Sequence, residues 1–370
     1  MDTWKIPMAD PAVGEEEARA VYGVVLSGWL SAGPKVPEFE KGFSGTVGVK
    51  HAVAFCNGTA ALHATLLATG IGRGDEVIVP DITFVSTATS VIHTGATPVF
   101  ADVDPVTLNI RPESIQQNIT SRTRAIVPVH YAGQSADMDR ILDMGRSHGL
   151  EVIEDAAEAH GAEYKGRRIG SLGRAAIFSF TPNKNITSGE GGMVTTNDDQ
   201  LADCLRLLRN HGSRVNNEYE MLGYNYRMTE MQAAIGVEQL KKLPPILQRK
   251  QELVDCLSAI VKQIPGLEIP TALGGNRHTY QMYTIRIDAG LVGATRDQVR
   301  ERMTAKGIQT RVCFPPLHLQ PLFSRYANPD SRLGNSERLG REILSLPIHT
   351  RLTKDQVNYI GKSLASAVHV

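Results

Sequence analysis

Three polar clusters in this 370-residue chain combine residue types that can do chemistry. In Asn57-Gly58-Thr59-Ala60, a glycine and a hydroxyl stand between a short apolar run and a helical one. A helix start offers free backbone N–H groups and the positive end of a dipole, which suits phosphate; taken alone, the segment reads first as a turn with an N-cap. In Val152-Ile153-Glu154-Asp155, two apolar residues run into two carboxylates. An Asp at the end of a buried strand is costly unless it meets a cation or several donors. A salt-bridged strand exit or a helix cap competes evenly with a functional role. In residues 179–192, Lys184 follows an apolar run and precedes Gly189-Glu190-Gly191-Gly192. An enclosed lysine can lose its proton and form a Schiff base with an aldehyde, whereas a lone loop lysine is ordinarily just solvated.

The three clusters complete one another. Pyridoxal phosphate requires a cup for its phosphate, an acid beside its pyridine nitrogen, a platform for its ring and a lysine for its aldehyde. Gly58, Thr59 and Ser179 can supply the cup, Asp155 the acid, Phe84 the platform and Lys184 the amine.

The elements around these residues have a regular order. Short apolar runs at 51–56, 76–80, 97–103, 125–129, 151–155, 175–180 and 192–196 read as strands, and helical patterns at 12–28, 59–69, 84–94 and 137–148 lie among them. Such alternation indicates an α/β fold with a mostly parallel sheet flanked by helices, and ligands gather at the carboxyl ends of its strands. The pattern weakens after about residue 240. Leu243-Pro244-Pro245 predicts a helix break, followed by a helix over 246–262, strands at 280–287 and 308–313, and a helical end. The expected division is a large domain over 1–245 and a smaller α+β domain over 246–370, with the N-terminal segment free to join the smaller one.

Composition narrows the function classes. Thirty-nine basic residues balance thirty-nine acidic ones, with 42% apolar and 21% charged residues. That balance disfavours nucleic acid as a partner, because holding its phosphates calls for a basic excess. No apolar stretch approaches the roughly 20 residues a bilayer span needs, so no membrane partner is expected. The four cysteines form no CxxC pair, and Met1-Asp2-Thr3-Trp4-Lys5 opens no leader pattern, so a reduced, cytoplasmic setting is expected. His51, His63, His93 and His148 fall singly, without metal-ligand spacing. His130 reads as a satisfied loop histidine, Met228, Met231 and Ile235 as a packing face, and Arg206, Arg209 and Lys241-Lys242 as solvated helix faces. Thirty-four glycines are a mild surplus; several fall in the three clusters, where backbone would approach a ligand closely.

The ordered motifs resemble the DegT/DnrJ/EryC1/StrS family of pyridoxal-phosphate-dependent sugar aminotransferases, of fold type I. They are Gly28-Trp29-Leu30-Ser31-Ala32-Gly33, Asn57-Gly58-Thr59-Ala60-Ala61-Leu62, Gly74-Asp75-Glu76-Val77-Ile78-Val79-Pro80, Glu154-Asp155-Ala156-Ala157, Ser179 through Lys184 to Gly192, Gly223-Tyr224-Asn225-Tyr226-Arg227-Met228 and Leu344-Ser345-Leu346-Pro347. The look is nearest to the perosamine-type members. The resemblance implies that Lys184 holds the cofactor's aldehyde and later shuttles a proton. It implies that Asp155 holds the pyridine nitrogen, with a depressed pKa because its partner is a cation. Gly58, Thr59 and Ser179 would bind the phosphate, Phe84 would stack on the ring, and Asn225 would reach the phosphate from the neighbouring subunit of a homodimer. Trp29, Ser31 and His318 fall in segments that line the family's sugar pocket; helix-end packing, a turn and a hydrogen-bonded loop are their structural alternatives. Glu158 stands where many relatives carry an amide or histidine near the cofactor's phenolic oxygen. A carboxylate cannot donate to that oxygen unless protonated, so Glu158 either keeps a proton or faces the sugar. The implied reaction moves an amino group from L-glutamate to the ketone of a nucleotide-linked 4-keto-6-deoxy sugar. The alternatives are amination at C3, sugar dehydration, for which relatives carry histidine where this chain has Lys184, and a non-catalytic regulatory role. The nucleotide base and the stereochemistry stay open.

Overall fold

A computed structural model describes residues 4–215, 217–326 and 332–368. Met1, Asp2 and Thr3, part of the segment read for a leader, lie outside the described residues. The strands are β1 (His51–Phe55), β2 (Glu76–Pro80), β3 (Thr97–Ala101), β4 (Thr123–Ile126), β5 (Glu151–Asp155), a short hairpin of β6 (Glu163–Tyr164) and β7 (Arg167–Arg168), then β8 (Ala175–Ser179) and β9 (Gly192–Thr196). Seven of them form one sheet in the order β1-β9-β8-β5-β4-β2-β3. β9 runs antiparallel to both neighbours, and the remaining adjacent pairs are parallel.

Alternate strand residues feed two cores, as the pleat requires. Ala52, Ala54, Val152, Ala176 and Phe178 enter one, while Val53, Phe55, Ile153, Ala175 and Ile177 enter the other. Both faces are covered, which is why these strands read as continuous apolar runs. The helices are α1 (Glu15–Ser27), α2 (Lys35–Val47), α3 (Gly58–Ala68), α4 (Val85–His93), α5 (Pro112–Asn118), α6 (Met138–His148), α7 (Asp199–Arg209) and α8 (Glu230–Val261). Phe39 and Phe43 of α2, Met138 and Ile141 of α6 and Ala233 of α8 pack on the first face; Leu62 and Leu66 of α3, Val91 of α4 and Leu205 of α7 pack on the second.

The helix break expected at Leu243-Pro244-Pro245 does not occur. α8 passes through both prolines as one 32-residue helix, started by a capping box between Thr229 and Gln232. Each proline forfeits one N–H bond, but Leu243, Ile246 and Leu247 around them are buried in the first core, and that burial outweighs the loss. Residue 245 therefore lies inside a continuous helix. The second half of α8 buries Leu253, Val254, Leu257 and Val261 in a third core, with a three-stranded antiparallel sheet of β10 (Leu267–Glu268), β11 (Tyr283–Ile287) and β12 (Ile343–Leu346). Ile6 of the N-terminal segment enters the same core. The strand expected over 308–313 is reduced to two isolated bridges, Ile6 with Ile308 and Arg311 with Ser345.

Candidate active site

Strand register brings the three polar clusters together. Gly192, which opens β9, pairs with Phe55 at the end of β1 and with Ser179 at the end of β8. The backbones are so close that a Cβ on Gly192 would sit 2.3 Å from the Asn57 carbonyl oxygen, and one on Gly58 would sit 3.0 Å from Ser179 Cβ. Only glycine fits the first position, so the Gly-Glu-Gly-Gly segment is required for the start of α3 to lie against β8. Asn57 Oδ1 caps α3 by accepting from the Ala60 N–H at 2.8 Å. The N–H groups of Gly58 and Thr59 are left as helix-start donors beside the Ser179 hydroxyl.

One strand over, β5 ends on two carboxylates with contrasting surroundings. Glu154 is fully buried and accepts from the N–H groups of Gly170 (3.1 Å), Leu172 (2.8 Å) and Gly173 (2.8 Å). It also meets His130 Nε2 at 3.0 Å. The Ala136 N–H donates to His130 Nδ1 at 3.2 Å, so the ring's proton lies on Nε2 and points at Glu154. Burial alone would raise the Glu154 pKa, but His130 and the Gly173 and Gly170 N–H groups together hold it below the usual carboxylate range. The carboxylate of Asp155, also buried, accepts among the described residues only from the Thr87 hydroxyl (2.8 Å) and the Ala157 N–H (3.2 Å). Burial dominates there and pushes its pKa up, against Thr87, Ala157 and the more distant Lys184. Without a cofactor the chain's own groups leave the Asp155 charge under-stabilised; the depressed value expected beside a cation is one that a protonated ring nitrogen would have to supply.

Lys184 sits in the loop between β8 and β9, with its side chain only 11% exposed. Its Nζ lies 3.3 Å from Glu158 Oε1. Glu158 Oε2 in turn accepts from the Ala132 N–H at 2.8 Å. Glu158 therefore accepts on both oxygens and is turned toward Lys184.

Gly58, Thr59, Phe84, Asp155, Glu158, Ser179 and Lys184 all line one cavity of about 640 Å³. Phe84, 54% exposed at the start of α4, presents its ring at the opening and meets Phe314 edge-on at 5.8 Å. The other candidates do not reach this cavity within the chain. Trp29 and Ser31 are exposed, and Ser31 bridges to Thr229. Asn225 is exposed and bridges to Asn210, while its neighbour Tyr226 does line the cavity and contacts His63 at 3.1 Å. His318 pairs with Asp81 (Nδ1 to Oδ2, 2.7 Å), which raises its pKa. Three contributors were not foreseen from sequence. They are Thr87, which holds Asp155; Arg311, which lines the cavity; and Gln281, which donates to the Asn183 carbonyl beside Lys184. A threonine one turn into a helix, a strand-edge arginine and a loop glutamine carry no local signal of such roles. Arg209 is not solvated as expected: it is paired with Glu40 and donates to the Ala54 carbonyl at 2.8 Å.

The donor set fits pyridoxal phosphate. Helix-start N–H groups and a hydroxyl suit its phosphate, a buried carboxylate short of donors suits its ring nitrogen, and an enclosed amine suits its aldehyde. The profile of the DegT/DnrJ/EryC1/StrS aminotransferase family matches residues 11–365. The chain belongs to that family. It is a pyridoxal-phosphate-dependent sugar aminotransferase of fold type I. It is 44% identical over 367 residues to GDP-perosamine synthase of Caulobacter vibrioides, covering 98% of each chain. It is 42% identical over 377 residues to the spore coat polysaccharide biosynthesis protein SpsC of Bacillus subtilis, covering 98% of this chain and 97% of that one. Among solved structures it resembles DesI, determined with its TDP-sugar product, at 34% identity and a TM-score of 0.90 over 97% of this chain and 91% of that one.

Proposed function

We propose that this aminotransferase transfers the amino group of L-glutamate to the keto group of a nucleotide-linked 4-keto-6-deoxy sugar, in the manner of GDP-perosamine synthase. The observation that carries the reading is the placing of an enclosed lysine and an under-satisfied buried carboxylate on one cavity, in a chain 44% identical to that enzyme. Bound pyridoxal phosphate supplies an aldehyde that captures amines and a ring that accepts electrons. Asp155 would hold the ring nitrogen protonated, and Thr87 would orient that carboxylate. Gly58, Thr59 and Ser179 would bind the phosphate and Phe84 would cover the ring. Lys184 would take the proton from the donor's α-carbon and return it on the cofactor side, then reverse the transfer for the sugar. Glu158, tied to the Ala132 N–H, would aim the Lys184 amine. In the same reading the enzyme works in the cytoplasm as a homodimer. Asn225 serves the partner's cofactor, and Trp29, Ser31 and His318 face the sugar.

Incubation with L-glutamate and a panel of GDP-, dTDP- and UDP-linked keto sugars tests this. Mass spectrometry should find one amino sugar with equimolar 2-oxoglutarate. Conversion of glutamate with no amination of any nucleotide sugar would refute the acceptor class.

A further inference from the structure

The Lys184 loop is tied down on both sides of the lysine by groups from elsewhere in the chain. Before it, the Asn183 carbonyl accepts from Gln281 Nε2. After it, the buried Asn185 side chain accepts from Lys250 Nζ of α8 at 2.7 Å and donates to the Thr279 carbonyl at 3.4 Å. Lys250 Nζ also donates to the Gln281 carbonyl at 3.4 Å. The segment Thr279-Tyr280-Gln281, just ahead of β11, thus meets the loop at both points. Its backbone is also stitched to residues 132–133: the Thr279 N–H donates to the Gly133 carbonyl (3.2 Å) and the Gln281 N–H to the Ala132 carbonyl (2.7 Å). Ala132 is the residue whose N–H holds Glu158. One segment therefore fixes both members of the Lys184–Glu158 contact. Tyr280, at its centre, has a φ of 46°, a left-handed conformation that a non-glycine residue keeps only where its surroundings impose it.

Lys250 is a costly group to place here. It is 5% exposed, and no carboxylate lies within ion-pair distance of it among the described residues. Burial pulls its pKa down to about 7, against the charge of Glu158. An ammonium so buried destabilises a fold that an apolar side chain of the same length would serve better. What the ammonium offers, and methionine lacks, is donation to two acceptors at once, one on the loop and one on the segment behind it. On this ground, and resting on the proposed role of Lys184 in capturing the cofactor's aldehyde, we propose that Lys250 is a positioning residue for Lys184. It joins the loop to the 279–281 segment at Asn185, and Gln281 makes the matching tie at Asn183. Together they hold the Lys184 amine in one place beside Glu158, so that it meets the aldehyde already oriented.

The test is the rate at which cofactor-free protein captures added pyridoxal phosphate. In that step the amine nitrogen bonds to the aldehyde carbon and the aldehyde oxygen leaves as water. Rapid mixing, a borohydride quench and peptide mapping give the rate at Lys184 itself. Lys250→Met should slow capture by about tenfold to a hundredfold and Gln281→Met by about fivefold, the sizes expected for one charged and one neutral hydrogen bond. Affinity for pyridoxamine phosphate, which has no aldehyde and needs no lysine, should stay at the wild-type value, and so should the urea midpoint. Adding Asn185→Leu to Lys250→Met should slow capture no further, because both changes remove the same tie. Capture by Lys250→Met at the wild-type rate overturns the proposal. So does a loss of pyridoxamine phosphate affinity as large as the loss of rate, which would mark a general loosening of the site. If Lys250→Met does not fold, Gln281→Met decides by the same two measures. Wild-type labelling at a lysine other than Lys184 would strike the role proposed for Lys184; labelling of Lys184 at unaltered rates in the variants strikes the positioning role alone.

Discussion

Glu154 and Asp155 are neighbours on β5, both buried, and similar in the sequence, yet the fold treats them in opposite ways. Glu154 is surrounded by three N–H groups and His130, and its charge is held below the usual range. Asp155 has one hydroxyl and one N–H, and its charge is disfavoured. Consecutive strand residues face opposite sides of the sheet, so one carboxylate serves the framework and the other looks into the cavity. A buried acid whose needs the chain meets in full is structural; one whose needs are left unmet is where a ligand's charge belongs.

The largest effect should come from removing the unmet acid. Asp155→Asn should lower turnover by about a hundredfold to a thousandfold, the size expected when one partner of a buried ion pair is lost. In the cofactor-free protein the same change should leave stability unaltered or improved, since a disfavoured charge disappears; steady-state rates and urea unfolding read the two effects. Glu154→Ala should do the reverse. It strands His130 and three N–H groups, and should cost about 3 kcal/mol of stability in the cofactor-free protein. Equal losses of activity and stability in both variants would erase the contrast.

The two acids should also tilt stability with pH in opposite directions. The folded pKa of Glu154 is depressed, so its contribution is complete above about 4.3, the unfolded value, and is lost as pH falls through the lower folded value. The folded pKa of Asp155 is raised. Its cost is absent below about 3.9 and grows as pH rises through the higher folded value. Urea midpoints of cofactor-free protein should therefore show Glu154→Gln losing ground to wild type as pH rises from acid toward neutral, and Asp155→Asn gaining. Differences of the same sign would contradict the assignment. The smallest expected effect is that of Thr87→Val, which removes one hydrogen bond worth about 1 kcal/mol from Asp155 and should weaken cofactor binding several-fold.

Much of this frame was legible in the chain. Each of the seven main strands announces itself as a short apolar run because both faces of the sheet are covered. Gly192 and Gly58 mark the close approach at the strand ends. Where long-range burial decides, local signals mislead. α8 runs through Pro244 and Pro245 because Leu243, Ile246 and Leu247 are held in the core. Lys250 and Arg209 look like solvated helix lysine and arginine, yet one is buried under the Lys184 loop and the other is paired with Glu40. The difference between Glu154 and Asp155 was likewise invisible, because the N–H donors to Glu154 come from residues 170–173 and its histidine from residue 130. Trp29, Ser31, Asn225 and His318 were named through motifs alone, and a single chain does not bring them to the cavity of Lys184.

The central claim is that Lys184 and Asp155 frame one pyridoxal phosphate. Borohydride reduction of the holoenzyme, followed by proteolysis and peptide mass mapping, tests it most directly. A single pyridoxyl group on Lys184 is expected in the wild type, with weak labelling in Asp155→Asn. Labelling of another lysine, or a folded protein that takes up no cofactor, would contradict it.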